Sequence, residues 1–115
     1  MGRGDIWAVE FPIPAGSSGH EQIGTRPAVV VQTDLDDARL PTTIVVPMTS
    51  NPGANRFPYT IEIAPSVQNG ISRASVLLVF QLRAIDKRRL GKKLGNLEPH
   101  YIHRMEDSIR TILGL

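Results

Sequence analysis

The 115-residue chain contains no cysteine. Disulfides, thiolate metal sites and a cysteine nucleophile are therefore excluded, and the composition suits a reducing cytosol. Aromatic residues are only 5% of the chain, which argues against a binder built mainly on base stacking. No apolar run approaches the ~20 residues that a membrane helix needs. The N-terminus, Met1-Gly2-Arg3-Gly4-Asp5-Ile6-Trp7, has an acidic residue where a signal peptide has its apolar core, so export is not expected. Hydrophobic residues at 41% and charged residues at 21% are ordinary globular proportions and exclude wholesale disorder. The length suits one domain spanning residues 1–115. Net charge is only +2, yet six of the thirteen basic residues lie between Arg83 and Lys93, against one acid, Asp86. Such a cluster either meets phosphates or an acidic protein segment, or is a solvated turn.

Five strands are expected. Gly4 to Phe11 alternates and stops at Pro12-Ile13-Pro14. Arg26 to Thr33 contains Ala28-Val29-Val30-Val31, which reads as buried on both faces. Thr42 to Thr49 is rich in β-branched residues, with Pro47 marking an edge or bulge near its end. Tyr59 to Ile63 and the apolar Ser75 to Leu82 follow, separated by an Asn69-Gly70 turn signal. Asp34 to Leu40 is a polar connection with room for one helical turn. At the end, Glu98 can cap a helix, Pro99 suits its first position, and Ile102, Met105, Ile109, Ile112 and Leu113 form an apolar stripe. The expected fold is mainly β with a C-terminal helix: a small, bent antiparallel sheet or partly open barrel with a helix packed on it.

Four segments carry a resemblance: Arg3-Gly4-Asp5-Ile6-Trp7, then Gly19-His20-Glu21-Gln22 leading to Gly24-Thr25-Arg26-Pro27-Ala28-Val29-Val30-Val31, then Val46-Pro47-Met48-Thr49-Ser50, then Gln81-Leu82-Arg83-Ala84-Ile85-Asp86-Lys87. In this order and spacing the chain resembles the MazF/PemK (Kid-like) family of toxin–antitoxin endoribonucleases, from Arg3 to Leu113. The resemblance implies a small SH3-like, partly open five-stranded antiparallel barrel and a homodimer. It also implies cleavage of single-stranded RNA at short motifs, without metal or other cofactor, halting translation and growth. The implied partner is a cognate antitoxin with an acidic, partly disordered tail; no membrane is involved.

Metal-free RNA cleavage uses the substrate's own 2′-hydroxyl. It needs a base for the 2′ proton, an acid for the leaving 5′-oxygen, and a cation to stabilise charge on phosphorus. Arg26 matches the family's catalytic arginine. Its guanidinium is too basic to act as a simple base, so it is assigned to charge stabilisation, with proton donation to the leaving group as an added possibility. Otherwise it is a surface arginine. Thr49 matches the family's catalytic threonine at the end of the third strand, and Ser50 is a second donor beside it; the plain alternative for both is a Ser/Thr turn. Histidine as a residue type titrates near neutrality, so His20 is the best candidate general acid or base. Glu21 matches a family glutamate that can orient Arg26 or accept the 2′ proton. Gln22 shapes their loop.

Kid-like members carry a catalytic Arg and Asp shortly before the Gln of the fifth strand. Here that stretch is Leu77-Leu78-Val79-Phe80-Gln81, and Leu78 and Phe80 transfer no protons. Phe80 either stacks a base or packs in a core or interface. Ser50, Gln22, Asn55, Arg56, Gln81 and Arg83 are candidate RNA contacts; Arg83 is expected to pair with Asp86 rather than with phosphate. His100 and His103, three apart on the helix, lack companions for a zinc site and are read as solvated. Two competing functions share this fold class: a gyrase poison of the CcdB type, and a nucleic-acid-binding barrel without chemistry.

Overall fold

The computed structural model describes residues 1–11, 24–33 and 39–115. Its strands are β1 (Asp5–Phe11), β2 (Gly24–Val30), β3 (Thr42–Thr49), β4 (Thr60–Ile63), β5 (Ser75–Leu78), β6 (Arg83–Asp86) and β7 (Leu90–Asn96), followed by helix α1 (Pro99–Leu113). All pairings are antiparallel. The order is β4-β5-β3-β2-β1-β7, with β6 also on β3. The fold class is the one expected, a bent, unclosed sheet with one terminal helix, but among the described residues it has seven strands rather than five.

The differences have local causes. The apolar run expected as one strand, Ser75 to Leu82, breaks at a 3-10 turn over Val79–Gln81 and resumes as β6. That break lets both halves pair with β3: Thr49 faces Val76 near its end, and Thr42 faces Asp86 near its start. The basic segment after Asp86 is not only a turn, because Leu90–Asn96 forms β7 along β1. Residues 34–38 of the polar connection, and the single helical turn anticipated there, lie outside the described residues.

Side chains of the central strands leave on alternate faces, so each face carries its own core. Val29, Val46, Met48, Leu77 and Met105 join one cluster, which α1 covers. Val9, Phe11, Ala28, Val30, Val45 and Ile85 form the other. The Val29–Val30 segment is thus buried on both faces, as the sequence indicates. On α1, Met105 is fully buried while Ile112 and Leu113 stay exposed, so the apolar stripe outlasts its core. Glu98 sits at the helix N-cap, but its side chain makes no cap bond. Its carboxylate instead accepts from Ser66 Oγ at 3.1 Å and from Asn69 Nδ2 at 3.1 Å.

Asn69 is wholly buried. Its amide oxygen accepts from the Ser66 and Ile71 backbone N–H groups at 3.0 and 3.2 Å, and its nitrogen donates to Ala64 O at 2.9 Å. Gly70 follows at φ +68°, and a Cβ there would collide with the Leu94 carbonyl of β7. The Asn-Gly pair therefore ties the turn to the sheet and fixes the path of the chain toward Arg73. Among the described residues no helix is long and apolar enough to cross a membrane.

Candidate functional site

A cleft begins where β2 and β3 stop pairing. Their register runs from Val30–Val45 to Ala28–Pro47 and no further. Pro27 is the next residue after Val31 and Val29 to turn its amide position toward β3, and it has no N–H to give, so the ladder loses a donor at this point. Continuing the register two residues sets Arg26 opposite Thr49 on the same face. Both residues line the cleft that opens there. β3 itself continues past Pro47 only on its other side, where Met48 and Thr49 pair with Leu77 and Val76.

The resulting cleft has a volume of about 380 Å³. β2 supplies Thr25 and Arg26, the end of β3 supplies Thr49, Ser50 and Asn51, and the segment before β5, the far wall across β3 from β2, supplies Ser72 and Arg73. Among the described residues that line it there is no carboxylate. Hydroxyls, an amide and two guanidinium groups make it a site for an anion rich in oxygen.

Thr49 is half-buried, and its Oγ1 accepts from the Asn51 backbone N–H at 3.2 Å. That is the Ser/Thr turn foreseen as its plain alternative. The bond uses an oxygen lone pair and leaves the hydroxyl hydrogen to donate into the cleft. Asn51 in turn caps the 3-10 turn Pro52–Arg56 by accepting from Gly53 N at 3.0 Å. Arg26 is exposed, with Nη1 donating to the Thr25 carbonyl at 3.3 Å.

The structure thus brings Arg26, Thr49 and Ser50 into one cleft. His20, Glu21 and Gln22 lie outside the described residues. The other candidates sit elsewhere. Asn55 donates to Glu62 Oε1 at 2.6 Å and lines a separate cleft with His100 and Arg104. Arg56 donates to Gly53 O at 2.9 Å and covers the Phe57 ring at 4.4 Å. Gln81 is half-buried in the Val79–Gln81 turn. Arg83 lies over Phe11 at 5.3 Å and not against Asp86. Asp86 pairs instead with Arg88, at 2.9 Å between Nη2 and Oδ2. The expected Arg83–Asp86 pair gives way because they are i and i+3 on one strand and so point to opposite faces. Phe80 is exposed and packs its ring 5.3 Å from that of Phe57. Both helix histidines are exposed, His100 with its ring 4.0 Å from Tyr101.

Arg73 was not apparent from the sequence. It falls between a turn signal and a strand, in no motif, and only the sheet brings it to the cleft. The basic cluster is partly neutralised: Arg89 pairs with Glu10 at 3.4 Å and Lys93 with Asp5 at 3.6 Å. Such surface pairs are worth little individually.

Known proteins bear on this arrangement. The Endoribonuclease EndoA of Bacillus subtilis is 33% identical over 113 residues, covering 98% of this chain and 94% of that protein. The Endoribonuclease MazF of Staphylococcus saprophyticus is 34% identical over 115 residues, covering 100% and 92%. A solved endoribonuclease in complex with its cognate antitoxin, from a mycobacterial species, superposes with a TM-score of 0.75 at 18% identity and covers 100% of this chain and 96% of that one. Residues 2–113 match the family as a whole. The chain belongs to the PemK-like, MazF-like toxins of type II toxin–antitoxin systems.

Proposed function

We propose that the protein is an endoribonuclease that cuts single-stranded RNA at short sequence motifs, inhibits translation and growth, and is held in check by a cognate antitoxin. The observation that carries this reading is the meeting of Arg26 and Thr49 in one cleft whose described lining residues include no carboxylate. The family match and the relatives named endoribonuclease support it.

The reaction is an in-line transfer. The ribose 2′-oxygen loses its proton to a base and attacks the adjacent phosphorus. The bond to the 5′-oxygen breaks, and that oxygen takes up a proton. The products are a 2′,3′-cyclic phosphate and a 5′-hydroxyl, and charge builds on the equatorial phosphate oxygens on the way. Arg26 meets that charge with its planar fork of donors, and Thr49 donates its free hydroxyl hydrogen to a phosphate oxygen. Ser50 adds a donor. Glu21 or His20 takes the 2′ proton, and Gln22 shapes their loop. No step calls on a cofactor. Asn55, Arg56, Gln81 and Arg83 then belong to a wider RNA surface rather than to the reaction centre. The protein acts as a single domain in the cytoplasm and as a homodimer, and its antitoxin covers the cleft with an acidic tail.

The test is cleavage of a long single-stranded RNA in the presence of EDTA, with both product ends mapped. Cuts at a recurring short motif that leave 5′-hydroxyl and cyclic phosphate ends support the reading. A 2′-deoxy sugar at the mapped position stops the reaction. Cleavage of that substituted strand overturns 2′-hydroxyl attack.

A further inference from the structure

We infer that Arg73 forms a second phosphate subsite, which holds the phosphodiester adjacent to the one being cut. This rests on the RNA-cleaving reading above. At Thr49, β3 has β2 on one side and β5 on the other, where Val76 faces it. Paired neighbouring strands lie about 4.8 Å apart, and β2 has already left the β3 ladder here, so the two flanking strands stand at least roughly 10 Å apart. Arg26 comes from the first flank, and Arg73, two residues ahead of β5, comes from the second. Both line the cleft, with Thr49 between them.

Charge and spacing together separate their roles. A phosphodiester carries one negative charge, and Arg26 with the Thr49 and Ser50 hydroxyls already supplies a full set of donors for it. Arg73 adds a second cation on the opposite wall, beside the Ser72 hydroxyl, where a strand running through the cleft presents its next phosphate. Arg73 is exposed, and it is its backbone carbonyl, not its guanidinium, that takes the Ser75 hydroxyl at 2.9 Å. The side chain can therefore be removed without dismantling the turn.

The experiment measures binding, so it stands apart from cleavage. Single-stranded oligonucleotides with deoxyribose throughout cannot undergo 2′-hydroxyl attack. A seven-nucleotide strand is titrated by fluorescence anisotropy between about 50 and 200 mM salt, and a dinucleoside monophosphate by NMR shift changes. For the longer strand, Arg73→Ala is expected to weaken binding about tenfold and to lower the slope of log affinity against log salt by about 0.7, the value of one phosphate contact. Arg73→Lys keeps the slope. Arg110→Ala, on the far end of α1 and paired with Asp107 at 2.9 Å, leaves it unchanged. The dinucleoside, with its single phosphate, loses less than about twofold. An equal loss on the dinucleoside would place Arg73 on the scissile phosphate, and an unaltered slope on the long strand would remove it from the phosphates; either overturns the proposal. A protein that binds these strands through Arg73 but cuts no RNA would sink the nuclease reading and leave the subsite standing.

Discussion

Thr49 shows how one side chain serves both structure and chemistry. Its oxygen closes the turn at Asn51, and its hydrogen remains available to a ligand. Thr49→Ser is therefore expected to keep the turn and most activity, whereas Thr49→Val, close in shape, loses the donor and about 100-fold in kcat. Initial-rate kinetics on one labelled RNA distinguish the two. Asp86 is a second case. The Arg88 side-chain hydrogen bond, aided by the Arg88 backbone N–H, holds its carboxyl well below the ordinary range, at about 2. A lowered carboxyl favours the folded chain at pH above the unfolded value, and that contribution is lost as pH falls from about 4 toward 2. Arg88→Ala is expected to raise the Asp86 midpoint, read by carbon-13 NMR titration, and to leave cleavage at neutral pH unchanged. A midpoint that stays near 2 would deny Arg88 the leading role. Arg26 and Thr49 stood out in the sequence through the family resemblance of their motifs, with Ser50 beside Thr49, and all three line the one cleft. Arg73 did not, because no local pattern marks it.

At the scale of elements, prolines and an asparagine do most of the shaping. Pro27 removes a donor where the β2–β3 ladder ends and the cleft begins, and Pro47, expected to mark an edge or bulge, is the last β3 residue paired with β2. Asn69 fixes the loop that feeds the far wall. Asn69→Ala leaves the Ser66 and Ile71 N–H groups buried without that oxygen, and is expected to cost about 3 kcal/mol in urea unfolding. A loss under about 1 kcal/mol would show that water or other groups replace it. Met105→Ala is expected to cost about 2–5 kcal/mol by leaving a cavity under α1. The strands missed in the sequence have plain reasons. β7 reads Leu-Gly-Lys-Lys-Leu-Gly-Asn, poor in strand-forming side chains, and it is held extended by pairing with β1. The turn at Val79–Gln81 breaks an apolar run without glycine or proline to announce it.

For the whole molecule, the bent sheet matters because it carries two opposed walls around one strand end. The fold class was readable from strand alternation and the terminal amphipathic helix, and the family from the order of its motifs; the strand count and the wall opposite Arg26 needed the folded chain. Light scattering at micromolar concentration is expected to give twice the chain mass, and a monomer would contradict the homodimer. The most direct test of the account is a double-mutant comparison of kcat/KM for Arg26→Ala, Thr49→Ala and the pair, with circular dichroism confirming an intact fold. Two groups serving one transition state predict at least a 100-fold loss in each single variant and a combined loss well short of the product of the two. Wild-type rates in either single variant, or losses that simply multiply, would contradict a shared reaction centre at this cleft.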